Sequence, residues 1–480
     1  MPLPNFGGER SSTNRFALRP AFLEPGSGGR PWFATCKAAP SDPRMKRPPA
    51  YFYDLDERPP WHWLVLYALQ WAVILFPALI IAARLCAQAL NLTAAEEVRF
   101  VQLTLLVSGL FTVFQTLYGH RYPVLEGPST AVLLTYALLA RNGLGVIQGG
   151  AIIAGVALAV LVLTGAVQRL LRFITPNVVG VILMLIAFTL LPHLVRPVIG
   201  SDGAHPEGDP IVFALALVLV LLITTGSHWL TGIWKTLTVF FGMLLGTAVF
   251  AVLGRLDPAP LQSAAWVSLP RPWASLSPTL YWPAVLSYGF AYLAVLVNSL
   301  GSLQGIAAIT APGRLPRAIR RGLMVNAIGG ICCGALGIVG TVSYSTSPGV
   351  LLVNRVASRF AVTGCGVLLA LAALVPKLSS LLALVPASVV AAALCVAMGG
   401  QVGAGLAIVS GGKELASRDY FVVGIPIVLG TFLSLLPEPF LALLPGPVRV
   451  LMGNGLIAGI FLVLLLEHCL LPAPRPAAKE

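Results

Sequence analysis

Charge is what this chain has least of. Only 10% of its 480 residues are Asp, Glu, Lys or Arg, while 57% are apolar, against roughly a quarter charged in an average soluble domain. Too few polar groups remain to cover a globule in water, so lipid has to be the solvent for much of the surface. A net charge of +13 in a soluble protein would suggest nucleic acid as a partner. Here the basic residues are dispersed through short connections between apolar runs, which argues against a nucleic-acid surface. The pattern fits instead the bias of Lys and Arg toward the cytoplasmic side of a membrane. Cysteine and histidine are equally sparse. The seven cysteines show no paired spacing and fall mostly in apolar runs, so they read as buried thiols and not as disulfides or metal ligands. A membrane-embedded enzyme would need His, Asp or Cys clustered inside the membrane, and the six histidines sit mostly at segment ends. Neither an enzyme nor a bound cofactor is expected.

What is present is a succession of apolar runs. The first 60 residues carry nine Lys/Arg and six Asp/Glu, are rich in Pro and Gly, and contain no long apolar stretch. They lack the apolar core of a signal peptide and are expected to be a disordered cytoplasmic tail, as is the short tail 474–480. A spanning helix takes about 20 apolar residues. By that measure segments fall at 62–88, 98–118, 144–172, 176–195, 211–230 and 233–254, and again at 283–310, 322–341, 361–380, 384–410, 418–437 and 452–472. Two further apolar pieces are too short to span. Ser129 to Ala140 follows Tyr122-Pro-Val-Leu-Glu-Gly-Pro128, and Gly349 to Val356 follows Ser343-Tyr-Ser-Thr-Ser-Pro348. Gly, Pro and hydroxyl residues leading into an apolar run predict an extended piece followed by a half-helix. Backbone of that kind is tolerated at membrane depth only where protein or a cavity satisfies it.

Counting both, the expectation is an all-α membrane protein of about fourteen segments with the interrupted ones third and tenth. They occupy matching places in two seven-segment halves, about 62–254 and 283–472, which insert with opposite orientation because seven is odd. Paired interrupted segments of this kind point to a transporter's binding site. The connections and tails on one side hold 23 Lys/Arg and those on the other 8, which predicts both termini in the cytoplasm and a multi-pass protein of the inner (plasma) membrane. The 193–209 connection, with Asp202, Glu207 and Asp209, then lies outside. Trp61, Trp63, Trp266, Trp273 and Trp282 read as interfacial anchors. Gly329-Gly330 and Gly399-Gly400 read as places of close helix packing.

The run Arg321-Gly-Leu … Gly-Thr-Val-Ser-Tyr-Ser-Thr-Ser-Pro-Gly-Val-Leu-Leu-Val-Asn-Arg-Val-Ala-Ser-Arg359, with Gly366-Val-Leu and Val375-Pro-Lys after it, resembles the nucleobase–ascorbate transporters, the xanthine/uracil permease family. Tyr122-Pro-Val-Leu-Glu-Gly-Pro-Ser-Thr130, Val385-Pro-Ala-Ser-Val-Val-Ala-Ala-Ala393 and Leu69-Gln70 agree with it. The resemblance covers roughly 62–472. It implies a core domain (61–172 and 281–380), a gate domain (173–255 and 381–473), substrate held between two half-helices, and a homodimer in lipid. It also implies secondary active transport of a small molecule of the xanthine, uric acid or uracil class. The alternative is a small-anion carrier or exchanger of the sulfate or bicarbonate type, which shares this fold.

Two departures from the family pattern stand out. The family usually places a carboxylate three residues before a Gly in segment 8, where Val297-Asn-Ser-Leu-Gly-Ser302 puts Asn298. Its segment-10 signature begins with Gln or Glu, where this chain has Thr346-Ser347-Pro348-Gly349. Neutral groups stand in for both acids. Each half-helix presents unpaired N–H groups and a partial positive charge at its N-terminus. The expected substrate contacts are therefore Ser129 and Thr130 at one end, Thr346, Ser347 and Gly349 at the other, and Asn298 and Ser302 facing them. An amide can still offer a donor and an acceptor to a heterocycle. The bland reading is that these groups only cap and pack broken helices. Glu126 is the one acid near this region, and it stands where the family often has Gln. A carboxylate in membrane surroundings is functional by default, so Glu126 is the expected coupling residue, with H+ the coupling ion. The bland reading makes it a structural ion pair with Arg121. His120 and Arg121 read as loop residues at the inner interface.

Overall fold

The structure is a computed structural model that describes residues 51–472 apart from 171–172, 202–204, 232, 257, 412–414, 446–447 and 449–451. Of the tails expected at 1–60 and 474–480, residues 1–50 and 474–480 lie outside the described residues. The chain is built almost wholly of helices. The first half holds α1 (Trp61–Leu90), α2 (Ala94–Leu117), β1 (Glu126–Pro128), α3 (Thr130–Leu139), α4 (Leu144–Leu163) and α5 (Val167–Leu170). Then come α6 (Pro176–Ile199), α7 (Pro210–Trp229), α8 (Ile233–Val252) and the short α9 (Ala259–Ser263). The second half runs through α10 (Trp282–Ile309), α11 (Leu315–Leu336), β2 (Thr341–Ser343), α12 (Ser347–Asn354), α13 (Arg359–Ala372) and α14 (Pro376–Ala383). It closes with α15 (Ala387–Ser410), α16 (Ser417–Ser434), α17 (Glu438–Ala442) and α18 (Gly455–Leu465). Among the described residues eight helices are long and apolar enough to cross a membrane, or nine with the bent pair α13–α14 counted as one span. This is a multi-pass membrane protein.

Local chemistry explains where these helices begin and end. Thr93 and Glu96 form a reciprocal capping box at the start of α2, in which each side chain accepts the other residue's backbone N–H. Thr175 and Asp209 cap α6 and α7, each followed by a proline at the first helical position, where the missing N–H costs nothing. The expected segment 361–380 is not one straight span. It bends by 95° between α13 and α14, because Pro376 denies the α conformation to the residue before it, and Val375 sits at φ −110° and ψ 88°.

Packing in lipid relies on contact area and close approach instead of expulsion of water. At two crossings the backbones meet through facing glycines. A Cβ on Gly109 of α2 would lie 2.6 Å from the carbonyl oxygen of Gly366 on α13, and one on Gly180 of α6 would lie 2.6 Å from that of Gly405 on α15. Gly329 and Gly330 also pack tightly, against Phe111 and Thr341 and against Tyr292. Gly399 and Gly400 do not. Both are exposed, and a Cβ on either would meet nothing within 4 Å. Trp61, Trp63, Trp266 and Trp282 are exposed, whereas Trp273 is half-buried against Phe100.

Residues 51–60, assigned above to the tail, are bound to the body. The N–H of Phe52 donates to the Arg355 carbonyl (2.9 Å), Ala357 N–H to Tyr53 (3.0 Å) and Arg359 N–H to Leu55 (3.1 Å). The Tyr51 hydroxyl donates to the Ile309 carbonyl at 2.7 Å, and Asp56 pairs with Arg314 and Arg359. Alternating backbone bonds with residues 355–359 are what an extended segment makes when laid beside another, and no apolar run is needed to form them.

Candidate functional site

The two short helices meet through a two-strand ladder. β1 and β2 pair antiparallel in the register Glu126↔Ser343, Gly127↔Val342 and Pro128↔Thr341. Each strand leads toward a short helix, α3 or α12, so the ladder brings two helix N-termini together. Ser129 extends the pairing by donating its N–H to the Gly340 carbonyl at 2.9 Å. The backbone that would be costly unpaired at membrane depth is thereby satisfied by its counterpart in the other half. α10 runs alongside, packed on α3, β2 and α12.

Some of the expected contacts are committed to the protein itself. The Ser129 hydroxyl is the N-cap of α3, accepting from Val132 N–H at 3.4 Å. Ser347 is fully buried, and its hydroxyl oxygen accepts the Leu125 N–H at 3.2 Å. Ser302 is buried too, its hydroxyl within reach of the carbonyls of Asn298 (2.8 Å) and Ser343 (2.9 Å). For these three the capping-and-packing reading describes the geometry. The rest are open. Asn298 is half-buried one turn before Ser302, and among the described residues its amide makes no hydrogen bond. Thr346 stands exposed at the N-cap of α12, with its side chain making no cap bond. Gly349 is exposed, with open space where a Cβ would be, and Thr130 is half-buried at the first position of α3. Asn298, Thr346, Gly349 and Thr130 can therefore offer donors and an acceptor to a small polar solute.

Glu126 is wholly buried. Its Oε1 accepts the hydroxyl of Ser343, its ladder partner, and its backbone exchanges two bonds with Thr112 Oγ1 at 3.2 and 3.3 Å. Its neighbour is not Arg121, which is exposed, but His120, whose Nε2 lies 3.8 Å from Oε1. The interfacial placing expected for His120 is corrected by its burial at 1% exposure. The cause is local. Arg121 takes the left-handed conformation, φ 59°, and turns the chain so that residue 120 folds back beside residue 126. Gly119 stands in the turn, but the left-handed position itself is an arginine, so the sequence does not announce where the chain reverses. Around the pair, Gln115 accepts the His120 N–H (3.3 Å) and donates to Asn326, which donates to Ser299 at 2.8 Å. Spacing alone reveals none of these three partners.

A cavity of about 2160 Å³ lies elsewhere, at the far end of α3, and none of the expected site residues lines it. Its wall includes the ion pairs Arg84–Glu97 (2.8 Å) and Arg255–Asp209. The first seven residues of α3, 130–136, separate its wall at Ala137–Leu139 from the ladder, about 10 Å at the helical rise.

Residues 62–439 match the Permease family, the xanthine/uracil permeases. The chain belongs to this family of nucleobase–ascorbate transporters. Like its permease relatives it is a membrane transporter and not an enzyme. It is 24% identical over 403 residues to the nucleobase transporter PlUacP of Paenibacillus larvae, covering 83% of this chain and 92% of that one. It is 26% identical over 410 residues to the uric acid permease PucJ of Bacillus subtilis, covering 83% and 91%. With the uric acid transporter UacT of Escherichia coli the figures are 22% over 403 residues, 82% and 83%. Among solved structures, the transmembrane domain of the cyanobacterial bicarbonate transporter BicA superposes with a TM-score of 0.53 at 14% identity, over 84% of this permease and 95% of that chain. Murine Slc26a9, an anion transporter in its inward-facing state, gives 0.57 at 12% identity, over 97% and 76%. The permease shares their fold.

Proposed function

We propose that this permease carries a nucleobase of the xanthine, uric acid or uracil class by secondary active transport. In this reading the solute is held between the N-termini of α3 and α12 and gripped by the Asn298 amide. The observation that carries the reading is the β1–β2 ladder, which sets two helix ends near an amide that has no partner among the described residues, in a chain whose sequence relatives are nucleobase and uric acid permeases. A heterocycle edge presents donors and acceptors side by side, and one amide can answer both. The neutral Asn298 forgoes the charge-assisted strength of a carboxylate, so affinity for the usual solutes of the family should be modest. The small-anion alternative is less favoured, because likeness to the bicarbonate and anion transporters is one of fold alone.

The same proposal includes about fourteen segments in two inverted halves, a core and a gate domain that rock against each other, and a homodimer in the inner membrane with both termini cytoplasmic. H+ is the proposed coupling ion and Glu126 the group that takes it. Uptake by proteoliposomes against a panel of purines, pyrimidines and small anions tests the reading. Saturable uptake of a purine or pyrimidine, competed by its analogues and not by bicarbonate or sulfate, is the expected result. Uptake confined to the anions would overturn it.

A further inference from the structure

We propose that His120 and Glu126 form a single buried proton site, and that Ser343 and Ser302 relay its charge to the substrate face at Asn298. The proposal rests on the transport reading above and adds to it a partner for Glu126 and a route.

Burial and isolation set Glu126 apart. The other buried acids among the described residues, Glu97, Asp209 and Glu467, each lie against an arginine. Glu126 has none. Its Oε2 and the Nε2 of His120 are both shut away from solvent without a hydrogen-bond partner among the described residues. Unpaired buried polar atoms are costly and persist where they are used. The titratable groups that face Glu126 are His120 and Tyr344, and the Tyr344 hydroxyl is already bonded to the Pro128 carbonyl at 3.0 Å. Of the helices packed on β1, α2 presents Thr112 and Gln115 and α1 presents Leu75, none of them titratable.

The hydrogen bonds assign the proton. Nδ1 of His120 accepts the Tyr122 N–H at 3.0 Å, so the neutral ring carries its own proton on Nε2, the nitrogen 3.8 Å from Glu126 Oε1. A second ring proton would set two N–H groups head to head at Nδ1. An arriving proton therefore goes to the carboxylate, where Oε2 is free to form the new O–H bond. The pair passes from a charge of −1 to 0, and the same O–H bond breaks when the proton leaves to water. His120 is a positioning residue that steadies the charged form.

Ser343 couples this change to the site. Its hydroxyl donates to the carboxylate, and its backbone carbonyl lies within reach of Ser302, one turn from Asn298. Protonation removes the charge that strengthens the Ser343 bond, at the end of the strand that leads into α12. Any shift of solute affinity produced this way has to be matched by an equal shift of proton affinity.

Infrared difference spectroscopy on the permease in nanodiscs, stepped in pH, reads the site without any solute. A protonated-carboxyl band should appear in the wild type, vanish in Glu126→Gln, and move in frequency and in pH midpoint in His120→Asn. In proteoliposomes Ser343→Ala should keep the band yet lose accumulation driven by a pH gradient. A band that survives in Glu126→Gln, or one indifferent to His120→Asn, would overturn the site. Gradient-driven accumulation that persists in Ser343→Ala would overturn the relay. Should Glu126→Gln fail to fold, the His120→Asn shift decides. Because the band needs no solute, it stands or falls apart from the nucleobase assignment.

Discussion

Ser343 hands its hydroxyl to the Glu126 carboxylate across a ladder that joins positions 217 residues apart. That one bond ties the two interrupted segments together at the point where each turns into a helix. The proposed substrate groups, the proposed proton site and the backbone that would otherwise be unpaired in lipid all depend on the ladder.

Replacing Asn298 with Ala should weaken solute binding by about 1–3 kcal/mol, the cost of leaving a buried polar partner unmet. Folding should be unaffected, since among the described residues the amide makes no bond within the protein. Asn298→Glu should move specificity toward the solutes usual for the family. Equilibrium binding by isothermal titration reads both, and unchanged affinity in the two variants would remove Asn298 from the site.

The exposed Glu207 lies in the connection proposed to face outside, and the exposed Cys469 lies near the C-terminal end proposed to face the cytoplasm. A membrane-impermeant maleimide should label Glu207→Cys in intact cells and native Cys469 only after permeabilisation. The reverse pattern would invert the proposed orientation.

Close approach at the α2–α13 crossing leaves no room for a methyl group. Gly109→Ala should cost about 1–3 kcal/mol through overpacking, because the new Cβ would meet the Gly366 carbonyl and the Ala370 nitrogen at 2.6 and 2.7 Å. Gly313→Ala, where a Cβ would meet nothing within 4 Å, serves as the comparison. Equal thermal midpoints in detergent for the two variants would contradict the packing.

Asp56 anchors the segment before α1. The Arg314 guanidinium hydrogen-bonded to it holds its carboxyl below the usual carboxylate range, with Arg359 adding to the effect against the opposing cost of partial burial. A folded value below the unfolded one contributes stability that is present above the ordinary carboxylate pKa and is lost as pH falls through the folded value. Asp56→Asn should therefore melt below wild type at neutral pH, and the two should converge in acid. Asp56 is 43% exposed, so the difference should be small and shrink with salt. A gap that ignores both pH and salt would mean the ion pairs are not its source.

The sequence alone determined that the chain lives in lipid and where its long apolar helices fall, and it marked two short apolar pieces, each led by Gly, Pro and hydroxyl residues. Those features are local. A run of about 20 apolar residues leaves water whatever surrounds it, and Tyr122–Pro128 and Ser343–Pro348 are stiffened or loosened by their own Pro and Gly. Ser129, Thr130, Thr346 and Ser347 were legible as residues of helix starts, because Ser and Thr before an apolar run favour that position. Tertiary structure alone decided which of them are free. Ser129, Ser302 and Ser347 are committed to Val132, Ser343 and Leu125, while Asn298 and Thr346 are not. It also decided the Glu126↔Ser343 register, the folding back of His120 at a left-handed Arg121, and the docking of residues 51–58 on 355–359. Each of these joins groups through a hydrogen bond or a backbone turn, and a hydrogen bond is indifferent to separation along the chain. Only the packing of the helices determines which donor reaches which acceptor.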